Sequence, residues 1–219
     1  MRRLSPRALA CLPLVFACLG VRDARFDDAP PAARAPVADI GPTPPRPIRE
    51  PRALEFHSEV VRIAIIGDSV EVRGLYRFLC AGSGAAFPIL YPYPEDARLG
   101  GARTVSLECR AAGSSAWSAI PFTEVKAPGS IWSLPARRDT LEVLAVYRQA
   151  LHARYARYIV TTTGSWGHPL TSARFEITLP AGAKPTRFSF PFRLARGSRT
   201  WVFEAADFLP DRDIEVEWR

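Results

Sequence analysis

The sequence predicts an all-β protein: an antiparallel β-sandwich of immunoglobulin-like architecture, one large sandwich or two small ones, behind a signal peptide and a proline-rich linker. Three observations predict it. From Leu54 onward, short runs rich in Val, Ile, Phe, Tyr and Thr alternate apolar and polar residues with a period of two. Gly, Pro, Ser and Asp separate those runs, and helical spacing is sustained nowhere for long.

The first element is a β-hairpin. Val61, Ile63 and Ile65 alternate, Gly67-Asp68-Ser69 turns the chain, and Val70, Val72, Tyr76 and Phe78 alternate on the return. Further strands follow at Ala86 to Tyr93, Thr104 to Cys109, Trp117 to Val125, Leu141 to Leu151, Tyr155 to Thr163, Ala173 to Leu179, Thr186 to Leu194, Thr200 to Glu204 and Asp213 to Trp218, about eleven in all. Between Thr140 and Arg154, Leu141, Leu144, Ala145 and Arg148 also suit a helix, but the bulky Val143, Val146 and Tyr147 favour a strand. A division into two sub-domains would fall near 135–154.

Ahead of this body the chain opens with Arg2, Arg3 and Arg7, an apolar run from Ala8 to Ala17, and Cys18. That is the three-part layout of a secretory signal. The run is far shorter than the roughly 20 residues a membrane-crossing helix needs. Residues 1–17 therefore read as a signal peptide and 18–53 as Cys18 plus a linker. From Ala29 to Pro51 the chain holds eight of its 21 prolines and almost no large apolar residue. Such a stretch cannot bury a core. It reads as a semi-stiff tether in extended polyproline conformation.

After removal of the signal, 26 basic and 22 acidic residues leave a net charge of +4, since Arg2, Arg3 and Arg7 are three of the 29 basic residues. That small excess argues against a nucleic-acid partner. Cys11 falls within the signal and Cys18 at its end, leaving Cys80 and Cys109 in the body. In an oxidising compartment they are expected to pair as a disulfide, the alternative being two buried free thiols.

Candidate chemistry is sparse. Trp166 and His168 put an aromatic and a titratable side chain on one loop, a candidate ligand-binding spot. Asp207, Asp211 and Asp213 lack the glycine and terminal glutamate of a calcium-binding loop, and with Pro210 among them they read as a turn. No metal and no cofactor is expected. The five tryptophans are scattered, so a glycan-binding module is an alternative that needs one of them exposed.

Two segments carry resemblances to enzyme and export families. Val15-Phe16-Ala17-Cys18 resembles the lipobox of bacterial lipoproteins. The resemblance implies cleavage before Cys18, acylation of that cysteine and stable membrane anchoring; ordinary signal-peptidase cleavage after Ala17 is the alternative. Leu19, rather than aspartate, resembles the signal for sorting to the outer membrane. Ile63-Ala64-Ile65-Ile66-Gly67-Asp68-Ser69 resembles the nucleophile block of Gly-Asp-Ser esterases, which implies an alternative function through Ser69. That family takes its histidine base from an Asp-x-x-His block near the C-terminus, and none of His57, His152 and His168 has an aspartate three residues earlier.

The hairpin Glu59 to Phe78, Tyr91-Pro92-Tyr93-Pro94, the stretch Tyr158 to Leu170 and Asp207-Phe208-Leu209-Pro210 with Ile214-Glu215-Val216 resemble uncharacterised bacterial exported β-sandwich proteins. The first half is also distantly similar to the vault and inter-alpha-trypsin (VIT) domain. These resemblances imply fold rather than activity. The expectation is a non-enzymatic cell-envelope lipoprotein, facing the periplasm and held at the membrane through Cys18, whose body binds an envelope protein or a glycan.

Overall fold

A computed structural model describes residues 54–81, 85–125, 129–137 and 139–219. The expected signal peptide, the anchor Cys18 and the linker lie outside the described residues. Among the described residues there are fourteen strands: β1 (Leu54–Ile66), β2 (Ser69–Cys80), β3 (Phe87–Pro92), β4 (Leu99–Ala111), β5 (Ser118–Ala119), β6 (Phe122–Val125), β7 (Gly129–Leu134), β8 (Thr140–Leu151), β9 (Tyr155–Tyr158), β10 (Leu170–Thr178), β11 (Pro185–Phe188), β12 (Arg193–Leu194), β13 (Thr200–Phe208) and β14 (Ile214–Trp218).

An eight-stranded sheet in the order β12-β13-β10-β1-β2-β8-β4-β5 forms one layer. Two three-stranded sheets, β11-β14-β9 and β3-β7-β6, pack against it, and one continuous apolar cluster fills the space between. The all-β sandwich is thus the observed fold. Among the described residues all ladders are antiparallel except β1 with β10, which run parallel and are joined by a long crossover. The large sheet therefore draws strands from both ends of the described chain, and β8 lies between β2 and β4.

The β1–β2 hairpin forms as the alternation requires. Val61, Ile63, Ile65, Val70, Val72, Tyr76 and Phe78 are all buried. Ile66 pairs with Ser69, leaving Gly67 and Asp68 as a two-residue loop with Gly67 at φ 63. A glycine at positive φ in the first loop position suits the right-handed twist of the flanking strands. The 140–154 segment is strand, as its β-branched and aromatic residues indicated.

Three stretches depart from expectation. Residues 155–163 do not form one strand: β9 stops at Tyr158 and a 3-10 helix follows over Thr161–Trp166. The regions 117–125 and 186–194 are each divided into two short strands that join different sheets, β5 and β12 the large one and β6 and β11 the small ones, with Pro121 and Pro191 in the breaks.

The expected disulfide is also absent. Cys80 and Cys109 are both free and buried. Cys80 ends β2 and Cys109 lies on β4, the two strands flanking β8; Cys109 faces Val143 while Leu79 faces Thr140. Two inter-strand spacings alone separate their backbones by about 10 Å, beyond the roughly 7 Å limit for bridged cysteines.

Candidate aromatic chamber

The site begins with a backbone irregularity. β1 carries a bulge between Phe56 and Ser58, so three residues of β1 span what two span on β2. Phe56 and Phe78 face each other, then Glu59 comes opposite Tyr76. The extra residue, His57, re-aims the strand: Glu59, instead of Ser58, points inward in phase with Val61, Ile63 and Ile65. A carboxyl group is thereby held at 4% exposure in the apolar core.

Tyr76 is shaped by its own strand. Gly74 precedes it on the same inward face, and a Cβ at Gly74 would collide with the Tyr76 hydroxyl. The bare glycine lets the phenol ring lie back along β2. Its hydroxyl then sits 2.8 Å from that of Tyr91 on β3 and 3.0 Å from that of Tyr158 on β9. Tyr158 in turn donates to Glu59 Oε2 at 3.2 Å. All three sheets therefore meet at one chain of phenols ending on a carboxylate. Glu59 Oε1 is buried and has no hydrogen-bond partner among the described residues.

Around this chain lies a cavity of about 30 Å³ lined by, among others, Phe56, Glu59, Tyr91, Trp132, Tyr158 and Trp166. Trp132 stacks on Tyr91 at 4.4 Å, and its indole N–H donates to Ser130 Oγ at 2.8 Å. Trp166, half-buried, closes the outer side against Phe56 (5.7 Å) and Phe78 (5.8 Å). It is carried by the 3-10 helix, whose start is fixed by Asp213. That carboxylate accepts from Val160 N, Thr161 N and the Thr161 hydroxyl, and pairs with Arg157 at 2.6 Å. These side-chain bonds take the N–H groups that a continued β9 ladder would have used, which is why the strand ends there.

Electrostatically the chamber is unusual. Burial pushes the Glu59 carboxyl up to about 8, against the smaller opposing effect of the Tyr158 hydrogen bond. Desolvation likewise drives Tyr76, Tyr91 and Tyr158 above the ordinary phenol value, with Coulombic repulsion from Glu59 adding to it. No basic side chain lines the cavity among the described residues.

The residues singled out from sequence fall in different places. Trp166 is part of the chamber wall, but His168 lies beyond Gly167, which sits at φ 75, and does not line the cavity. The His168 Nδ1 is 3.0 Å from the Pro169 carbonyl oxygen. Ser69 is in the hairpin turn, where its hydroxyl donates to the Ile66 carbonyl at 2.9 Å. Asp213 is engaged at the 3-10 helix while Asp211 is exposed beside Arg212, so the three aspartates do not converge. No metal-capable group of three or more acidic, His or Cys side chains occurs among the described residues. All five tryptophans are buried or half-buried. Sequence reasoning missed Glu59 itself, whose signal was a carboxylate in the inward phase of an apolar alternation.

No family model matches the chain, and no curated protein matches it. Among solved structures it is similar to the yeast LTA4 hydrolase, at 10% identity and a TM-score of 0.49, over 79% of this chain and 31% of that one. It is also similar to a two-domain M1 zinc metallopeptidase, at 11% identity and a TM-score of 0.46, over 76% of this chain and 43% of that one. The chain thus spans less than half the length of either protein.

Proposed function

We propose that the chain is a non-enzymatic cell-envelope lipoprotein: Cys18 anchors it to the membrane, residues 18–53 act as tether, and the β-sandwich body binds another envelope component. The observation that carries the binding half is the aromatic chamber, which holds a buried carboxyl group, one of its oxygens without a partner, among apolar rings. A buried polar atom without a partner costs stability, and a ligand that supplies the missing donor offsets that cost. The anchoring half is supported by Val15-Phe16-Ala17-Cys18 and the proline-rich stretch that follows it.

Mass spectrometry of the mature protein from cells tests the anchor. The expected N-terminus is acylated Cys18, and Cys18→Ala releases the body from the membrane fraction. An unmodified N-terminus contradicts lipidation. A serine-directed fluorophosphonate probe tests the non-enzymatic half, for which no labelling is expected. Labelling that disappears in Ser69→Ala overturns it.

A further inference from the structure

We infer that the aromatic chamber is a binding site for a small alkylammonium ion, seated against the Glu59 carboxyl group with its methyl or methylene carbons against the surrounding rings. The inference deepens the binding half of the proposed function and rests on it. Three features of the chamber select this chemistry.

The first is the carboxylate. Oε2 already accepts from Tyr158, whereas Oε1 is buried and unpartnered, so the carboxyl, once ionised, lacks a second hydrogen-bond donor and a countercharge. An ammonium group supplies donors together with the countercharge that a buried carboxylate needs. The second is the wall. Phe56, Tyr76, Tyr91, Trp132 and Trp166 line one small space, and aromatic faces attract cations most strongly where water is excluded. The third is size. About 30 Å³ of room exceeds what one water needs but leaves no space for a large ligand. The half-buried Trp166, between Gly164 and Gly167, is the part of the wall that reaches the surface.

The proton balance gives the site a signature. The groups facing Glu59 are Tyr76 from β2, Tyr91 from β3 and Tyr158 from β9, with Tyr147 of β8 in ring contact with Tyr91 at 5.9 Å. All four phenols are held above their ordinary value by burial, so they stay neutral between pH 7 and 9. Only Glu59 changes charge there. When the ammonium ion enters, the carboxyl proton leaves to solvent and the cation takes its place. Glu59, at about 8, is ionised to roughly a tenth at pH 7 and roughly nine tenths at pH 9. Apparent affinity therefore rises about tenfold over that interval, while an amine with a lysine-like pKa near 10 remains cationic.

The test is isothermal calorimetry of methylammonium chloride against the purified full chain, with methanol as neutral counterpart and sodium chloride as ionic control. The expected result is saturable methylammonium binding about tenfold tighter at pH 9 than at pH 7, and none for methanol or sodium. Absent binding at pH 9, pH-independent binding, or equal binding of methanol overturns the inference. Glu59→Gln is expected to lose binding with an unchanged circular dichroism spectrum; binding retained by that variant also overturns it.

If Glu59→Gln does not fold, the wild-type carboxyl ¹³C signal of Glu59 decides. Saturating methylammonium lowers its titration midpoint by a unit or more, and an unmoved midpoint counts against the site. The two readings fail separately. Acylated Cys18 without methylammonium binding removes the ligand class and leaves the anchored body, whereas binding by a chain with an unmodified N-terminus removes only the anchor.

Discussion

Glu59 and Glu142 lie on opposite faces of the same sheet, at 4% and 3% exposure, and are treated in opposite ways. Glu142 on β8 faces outward and is met from both neighbouring strands, by Arg77 on β2 at 2.8 Å and Arg110 on β4 at 2.7 Å. Burial raises its pKa, but the hydrogen bonds and charges of the two arginines outweigh burial and hold the carboxyl below its ordinary value. Glu59 receives one phenol and no cation, and burial prevails. The outer face repeats the paired solution at three further cross-strand positions: Arg62 with Glu176, Arg148 with Glu71 and Arg174 with Glu204. Such exposed pairs are each worth little, at about 0–1 kcal/mol, but they show that arginine was available on this sheet. The inner carboxyl alone among these is left without one, and it is the one that faces a cavity.

The comparison breaks most visibly under changing pH. Unfolded, Glu59 titrates near 4.5; folded, near 8. Between those values only the folded state holds the proton, so stability falls as pH rises through the window, by roughly 5 kcal/mol in total. Glu59→Gln removes this component, and the difference between wild-type and variant urea-unfolding curves across pH 4 to 9 measures it. Glu142 contributes with the opposite sign: its depressed pKa adds stability above its unfolded value that is lost on acidification.

A second experiment turns one carboxylate into the other. Arg77→Met combined with Arg110→Met keeps the aliphatic stems but strips Glu142 of both cations. Leaving a buried charge uncompensated costs about 3 kcal/mol, measurable by denaturant unfolding, and the Glu142 carboxyl should titrate above its ordinary value. A smaller effect is expected at Gly74→Ala, where the added methyl meets the Tyr76 hydroxyl. Overpacking of this kind costs about 2 kcal/mol. In addition the phenol chain is displaced, so Glu59 should titrate at a different pH from wild type, as read by carboxyl NMR.

Local pattern made the first hairpin and β8 legible, because their information is local. Val61, Ile63 and Ile65 give the phase of β1, Gly67 gives the turn, and Val143 with Tyr147 gives β8 as a strand. The chamber is written across distance. Glu59 meets Tyr158 across 99 residues and Tyr76 meets Tyr158 across 82, and no spacing rule joins positions so far apart. The 3-10 helix was hidden for the same reason, since it depends on Asp213, 52 residues beyond Thr161. The disulfide expectation failed because two cysteines say nothing about the strand that lies between them. Trp166 was visible as a loop aromatic, but its partners Phe56 and Phe78 belong to the first hairpin.

The most direct measurement is the titration of Glu59 by carboxyl ¹³C NMR in the ligand-free full chain. A midpoint near pH 8 is the result this account predicts. A midpoint near the ordinary 4.5 would mean that the carboxylate is hydrated or paired with a cation, and would contradict the unpaired, buried carboxyl on which the binding site rests.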